Sequence, residues 1–317
     1  MHSNQRIAVI TGGSRGLGRS SAIKLAEAGT DVVITYRSNR AEADNVVAEI
    51  RKGGRRGVAL QLDVSQVTAL NSFAAQLRAK LSEHWNRDHF DFLVNNAGMG
   101  VHAAFTETTE AQFDELMNTH LKGAFFLTQK LLPLIADGGR ILNVSSGLAR
   151  FALPGYSAYA VMKGGIEVLT RYLAKELGPR RISVNVLAPG AIETDFGGGA
   201  VRDNAQLNAF VASQTALGRV GLPDDIGGVV AALLAPQAGW INAQRIEASG
   251  DVPMTFRRSA ALLSCGAPNH QWPWRLWGPR SPSARTHSTR QLLEHAGLDQ
   301  AGLNYARLLR GVKAAKE

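Results

Sequence analysis

Arg6-Ile7-Ala8-Val9-Ile10, followed without a break by Thr11-Gly12-Gly13-Ser14-Arg15-Gly16-Leu17-Gly18, is the stretch on which the fold turns. The first five residues form a short apolar, β-branched run of the kind that makes a parallel strand buried on both faces. After the glycines comes a helical pattern through Ala22, Leu25 and Ala26 that stops at Gly29. Strand, glycine turn and helix in that order are the context a dinucleotide phosphate requires. Glycines let backbone approach a pyrophosphate, and a helix N-terminus faces it with free N–H groups. Gly12, Gly16 and Gly18 are spaced G-x-x-x-G-x-G, with Ser14, Arg15 and Leu17 completing the turn, unlike the G-x-G-x-x-G of most two-domain dehydrogenases.

Outward from this start, strand and helix patterns alternate. A second strand, Asp31 to Tyr36, ends in Arg37-Ser38. An NAD site places a carboxylate at this strand end to hold the ribose hydroxyls. Arg37 stands there instead, and with Arg15 it supplies two forked guanidinium groups suited to a 2′-phosphate, so NADP(H) is the expected cofactor. Val58 to Leu62 reads as a third strand with Asp63-Val64 at its end; Asp63 is placed to accept from an adenine amino group or to cap a helix. Asp91 to Val94 is a fourth, leading into Asn95-Asn96-Ala97-Gly98, where small residues and a backbone-bonding Asn let the chain pass close to a ribose.

From Thr109 to Leu132 the pattern is one helix, with Pro133 near its end. Ile141 to Ser146, Ile182 to Leu187 (closed by Pro189-Gly190) and Gln244 to Ala248 complete the strands; helices run over Tyr159 to Leu177 and from Pro223-Asp224-Asp225. Proline at a first turn and acids at the positive dipole end suit that last helix start. The alternation predicts an α/β fold, a single doubly wound parallel β-sheet of the Rossmann type with helices on both faces.

Chemistry concentrates in Tyr159-Ala160-Val161-Met162-Lys163. Residues four apart share a helix face, about 5–6 Å apart at Cβ. An ammonium beside a phenol favours the phenolate, so Lys163 is expected to lower the Tyr159 pKa and make it a proton donor and acceptor near neutral pH. Ser146, upstream at a strand's carboxyl end, is placed to hydrogen-bond the substrate oxygen that the Tyr protonates.

In this order and spacing the chain resembles the short-chain dehydrogenase/reductase family, over roughly residues 5–255. The resemblance rests on Thr11 to Gly18, Asp63-Val64, Asn95 to Gly98, Ser146, Tyr159-x-x-x-Lys163, Asn185 and Pro189-Gly190-x-Ile192-x-Thr194. It implies hydride transfer between nicotinamide and a carbonyl or alcohol carbon. Tyr159 would be the acid/base, Ser146 the orienting hydroxyl, and Lys163 the holder of the nicotinamide ribose. Ile192 and Thr194 would contact the carboxamide, and the Asn95, Ala97 and Gly98 loop would line the cofactor. A departure lies at His120-Leu121-Lys122-Gly123-Ala124-Phe125, where the family has Asn at the position of His120 to help hold a relay water. Histidine donates, accepts and titrates near physiological pH, so a relay of altered pH dependence is expected, with a packed helix histidine as the alternative. Asn118 lies about 200° round the helix and does not substitute.

Length and composition bound the rest. The 317 residues, 45% hydrophobic and 19% charged, fit one large α/β domain with an extension: residues 1–255 as the reductase domain and 256–317 as a basic Pro/Arg/Trp-rich tail. Ten of the 35 Lys/Arg but three of the 26 Asp/Glu fall in that tail, so the +9 charge belongs mainly to it and the body gives no sign of nucleic-acid binding. A read-through or frame-shifted segment is the favoured reading of the tail, ahead of an oligomer contact and a basic–aromatic arm. No apolar run approaches a membrane span, no signal-peptide pattern opens the chain, and one cysteine, Cys265, suits a cytoplasmic protein. No metal site is expected. The segment between Asp195 and Leu222 is expected to cover the substrate, hinging at Gly197-Gly198-Gly199. With Met99, His102, Phe151, Leu153, Tyr156 and Phe196 it predicts an apolar pocket for a small carbonyl or alcohol, such as a 3-oxoacyl thioester or an aliphatic or aryl ketone. The family resemblance implies a homo-oligomer, dimer or tetramer. An NAD-linked alcohol dehydrogenase, a nucleotide-sugar epimerase and a non-catalytic NADP-binding regulator are the competing functions; the 62-residue tail is too small for the epimerase's substrate domain, and the intact Ser146, Tyr159 and Lys163 weigh against the regulator.

Overall fold

The computed structural model describes residues 5–251. Seven strands are laid down in chain order: β1 (Ile7–Ile10), β2 (Asp31–Tyr36), β3 (Gly57–Gln61), β4 (Phe90–Asn95), β5 (Ile135–Val144), β6 (Ser183–Pro189) and β7 (Arg245–Ala248). They form one sheet of spatial order β3-β2-β1-β4-β5-β6-β7, parallel throughout. The chain winds outward from β1 to β3, crosses back to β4, and winds the other way. The crevice at this reversal, beyond the carboxyl ends of β1 and β4, is where such sheets bind ligands.

The apolar runs are continuous because both faces are covered. On one face Ile7 and Val9 pack with Leu77 and Leu81 of α3 (Leu70–Trp85) and Leu131 of α5 (Gly123–Leu131). On the other, Ala8 and Ile10 pack with Leu25 of α1 (Gly16–Glu27), Val46 of α2 (Arg40–Lys52) and Ile226 of α9 (Pro223–Leu234). Each such Leu or Ile contributes about 1.5–3 kcal/mol by leaving water. α1 and α9 touch closely because Gly227 has no side chain against Ser20, whose hydroxyl donates to Asp224 at 2.7 Å. At the far edge, Asn185 holds the approach to β7, donating to the Ile241 carbonyl at 2.8 Å and accepting from the Gln244 amide at 3.0 Å.

Two elements differ from expectation. β5 starts at Ile135 rather than Ile141, because Gly138, at φ +75°, and Gly139 make an irregularity within the strand rather than a turn before it. The expected helix from Thr109 to Leu132 is interrupted. Thr109 caps α4 (Glu110–Met117) in a reciprocal box with Gln112, a π-helical turn follows over Asn118–Lys122, and α5 runs on to a tight turn at Pro133. The remaining helices are α6 (Ser157–Glu176), α7 (Ala200–Asp203) and α8 (Ala205–Gln214). Among the described residues no helix is long and apolar enough to cross a membrane. The readings of the basic tail, 256–317, and of Cys265 lie outside the described residues.

Candidate active site

The glycine turn has the geometry to take a phosphate. Gly12 and Gly16 take positive φ (+64° and +53°), and a Cβ on Gly18 would collide with the Gly12 carbonyl. Arg15 is the N-cap of α1, gives no side-chain cap, and the first turn holds no acid, so the helix dipole is left for an external anion. Opposite lies Asn95 to Gly98. Asn96, not Asn95, bonds the backbone here: its Nδ2 donates to the Thr11 carbonyl at 2.9 Å and the Gly12 carbonyl at 3.2 Å. The Thr11 hydroxyl accepts from the amides of Asn96 and Ala97, both at 2.9 Å. Thr11 and Asn96 are the residues missed from sequence; the doubled Asn was the signal. Asn95 instead faces inward, donating to Thr128 at 2.9 Å and to Asn143 at 2.8 Å. A Cβ on Gly98 would strike the His120 ring.

On the other side of the glycine turn Arg37 and Asp63 share a cavity of about 400 Å³ with Gln61, Gln66 and Phe73. Asp63 accepts from the amide and hydroxyl of Ser65, at 3.0 and 2.7 Å, making a turn rather than the helix cap that competed with the adenine reading. Val64 is buried beside it, its carbonyl against Gly123, and Ser38 follows Arg37 in an exposed bend. Arg15 lies 3.8 Å from Asp195, an exposed pair of little energy that leaves the guanidinium available. Past β6, Gly190 packs on Ser249 where a side chain would not fit, Ile192 bridges to Gly221, and Thr194 sits against Gly16. The backbone cradle, the uncapped helix and the two arginines fit a phosphorylated dinucleotide: the glycine turn would hold its pyrophosphate, and Ile192, Thr194 and Lys163 its nicotinamide end.

Ser146 lies two residues beyond β5, and Tyr159 and Lys163 stand one turn apart on α6. The structure brings them together. The Ser146 hydroxyl, which accepts from the Leu148 amide at 3.2 Å, lies near enough to favour an ionised Tyr159, and the Lys163 Nζ lies 5.5 Å from the Tyr159 ring centre. Both are buried, at 6% and 4% exposure, and that corrects the expected electrostatics. Burial drives the Tyr159 pKa well above the usual phenol value, with Ser146 opposing and Tyr156 adding to the rise. Burial likewise pushes Lys163 down to about 7, and its Nζ donates to the Val144 carbonyl at 2.7 Å. Desolvation outweighs the opposing effect of Ser146, so the site holds a protonated phenol rather than a phenolate.

His120 is also corrected. It is 3% exposed, and burial first, then the Lys163 charge, hold its pKa well below the usual range despite a hydrogen bond to Met99. It is a neutral imidazole rather than a group titrating near pH 7. Its Nε2 lies 2.7 Å from the Met99 carbonyl and 3.2 Å from the Met99 amide, and its ring meets Tyr159 edge-on at 5.1 Å. Phe196 lies tilted 5.3 Å from Tyr159, Tyr156 at 6.4 Å, and His102 stacks edge-on with Tyr156 at 5.0 Å. Of the expected pocket residues, Phe151 is buried against Gly147, while Leu153 is exposed.

A glycine turn shaped for a phosphate at the switch point, beside a half-buried hydroxyl and a buried phenol and amine, defines a dinucleotide-dependent α/β oxidoreductase. Residues 12–250 match the family described as enoyl-(acyl carrier protein) reductase. The tetrahydroxynaphthalene reductase PfmaG of Pestalotiopsis fici is 36% identical over 256 residues, covering 77% of this chain and 90% of its own. Among solved structures, the promiscuous reductase LugOII, which catalyses keto-reduction at C1 in lugdunomycin biosynthesis, superposes with TM-score 0.75 and 36% identity, over 80% of this chain and 99% of that one. The angucycline C-6 ketoreductase LanV with bound NADP gives 0.74 and 35%, over 78% and 95%. The chain belongs to the short-chain dehydrogenase/reductase family, whose cofactor is a nicotinamide dinucleotide.

Proposed function

We propose that the protein is an NADP(H)-dependent reductase that converts a ketone to a secondary alcohol, reversibly, with Tyr159 as proton donor. The observation that carries this reading is the buried, protonated Tyr159 with Ser146 and Lys163 beside it. When bound, the nicotinamide supplies the hydride. Ser146 then holds the carbonyl oxygen, Tyr159 gives its phenolic proton to that oxygen, and the Lys163 ammonium, when charged, offsets the negative charge left on the phenol. A phenol that keeps its proton at working pH suits the reductive direction. Arg15 and Arg37, with no acid at the end of β2, favour the 2′-phosphate, and LanV was solved with NADP. The rings of Tyr156, Phe196 and His102 around Tyr159 favour a flat, ring-borne ketone over a 3-oxoacyl thioester, in keeping with the named substrates of PfmaG and LanV.

The chemistry is placed in residues 1–255, with 256–317 taking no part, a division supported by the family match, which spans residues 12–250. Val161, Val168 and Tyr172 form one exposed stripe on α6, 45–65% open, and a second copy of this chain is the proposed cover, making a homo-oligomer. A cytoplasmic setting fits NADPH use and the single cysteine.

The test is the initial rate of NADPH loss with a panel of ring and acyclic ketones, NADH in parallel and Tyr159→Phe as control. Turnover that prefers NADPH and ring ketones and falls about 10²–10⁴-fold in the mutant is expected. Tight NADPH binding without turnover on any ketone would sink the reading.

A further inference from the structure

Below the site lies a charged network that the proposed chemistry does not use. Tyr159, Lys163 and Glu167 follow one another along α6 at four-residue steps, and Glu167 reaches the end of β5. Its Oε1 accepts from the Ser145 hydroxyl at 2.8 Å and from the Arg245 Nε at 2.7 Å. Arg245, at the start of β7, also donates from Nη1 to Glu247 Oε2 at 2.7 Å and from Nη2 to the Ser146 carbonyl at 3.4 Å. The other oxygen of Glu247 accepts from Arg150 at 2.8 Å, and the Ser145 hydroxyl also lies 3.3 Å from the Lys163 carbonyl. Glu167, Glu247 and Arg245 have side chains only 15%, 16% and 22% exposed.

The location gives the network its meaning. β5 ends at Val144, so Ser145 and Ser146 lie beyond the last pairing with β6, held on that side by the Ser145 amide donating to the Leu187 carbonyl at 2.7 Å. Ser146 is also held from its own turn, by the Leu148 amide on its hydroxyl at 3.2 Å and the Ala149 amide on its carbonyl at 3.1 Å. The supports from outside the turn are Glu167 on the Ser145 hydroxyl and Arg245 on the Ser146 carbonyl. A guanidinium forked between two carboxylates is a rigid brace. It connects the helix that carries Tyr159 and Lys163 to the turn that carries Ser146, and ties both to β7.

We infer that Glu167 and Arg245 are positioning residues that fix the Ser145–Ser146 turn so that the Ser146 hydroxyl stays aligned with Tyr159. The inference rests on the orienting role proposed for Ser146. The alternative is an ion network that only secures the sheet edge.

A double-mutant cycle between Glu167 and Ser146 in the full-length protein separates the two. Glu167→Gln keeps shape and removes charge; kcat is expected to fall about ten- to a hundredfold, as for a misplaced catalytic group. NADPH affinity, read by fluorescence, should stay within about twofold of wild type, the spread expected of uncoupled sites. In the Ser146→Ala protein the same change should cost less than about twofold, because the group it positions is gone. Hydrogen exchange followed by mass spectrometry should show faster exchange over residues 145–148 in Glu167→Gln. Arg245→Lys, which keeps charge but loses the fork, should repeat the coupling if Glu167→Gln does not fold. An unchanged kcat, or a loss that is as large without Ser146 as with it, overturns the inference. Full activity in Ser146→Ala removes the reading of Ser146 itself, a failure distinct from an additive cycle in which Ser146→Ala is impaired.

Discussion

The two halves of the site are made of different materials. Around Gly12 to Gly18 and Asn95 to Gly98 the working groups are backbone N–H and C=O, and the side chains are there to let the backbone come close or to hold it. Around Ser146, Tyr159 and Lys163 the working groups are side chains, and their properties come from what covers them. Backbone sites are specified by what is missing, a Cβ or an acid. Side-chain sites are specified by burial, which no local pattern announces. The halves should therefore fail in different ways.

The largest failure is expected at Gly18→Ala, whose Cβ would collide with the Gly12 carbonyl and lie 2.6 Å from the Asn96 Nδ2. Overpacking of about 1–3 kcal/mol at this contact should weaken NADPH binding by up to about a hundredfold, measured by fluorescence titration, with the fold retained by circular dichroism. Unchanged affinity would break the account of the cradle. Next, Arg37→Asp should cost about ten- to a hundredfold in NADPH affinity, the worth of one charge-assisted hydrogen bond, while NADH binding holds or improves.

The catalytic half is sharpened by pH. Lys163 titrates near 7 when folded and has an ordinary value of 10.5. Between these limits the unfolded chain binds more protons, so this residue makes stability rise with pH, by at most about 1.4 kcal/mol per unit. Urea denaturation of Lys163→Met should lose that part of the slope between pH 7 and 10.5; parallel wild-type and mutant curves would show that burial does not depress the amine. The smallest effect is expected at His120→Asn. A neutral histidine leaves no titration to remove, so activity should persist within about threefold, the spread of a conservative contact change, with an unmoved pH profile. Complete loss on that change would give the imidazole a role of its own.

The contrast also explains what was legible in the sequence. The β-branched runs, the glycine spacing and Arg37 at the end of β2 each act locally, so the strands and the cofactor half were legible as pattern, while the spatial order of the strands was not. Tyr159, Lys163 and Ser146 were legible as identities but not as acids and bases, because their burial is set by α4, α5 and the segment after β6, far away in sequence. The sequence shows a backbone-bonding Asn but not which of the pair it is, because adjacent identical residues point to opposite sides of the chain and only the packing of Thr11 decides between them. Glu167 continues the Tyr159–Lys163 stripe, yet its partner Arg245 is 78 residues away, on an edge strand visible as a run and not as a neighbour.

The π-helical turn at Asn118–Lys122 has a consequence for how this chain can change over time. It winds one more residue into a turn than an α-helix does, and everything after it is rotated by about 100° from where a regular helix would put it. Gly123, pressed against the Val64 carbonyl, and His120, bonded to Met99, both depend on that phase. Exchanges of residue type at position 120 leave the phase untouched. Loss or gain of a single codon in this turn would move every later side chain of α5 at once. Insertions and deletions should therefore be far rarer here among descendants of this sequence than replacements of His120 itself.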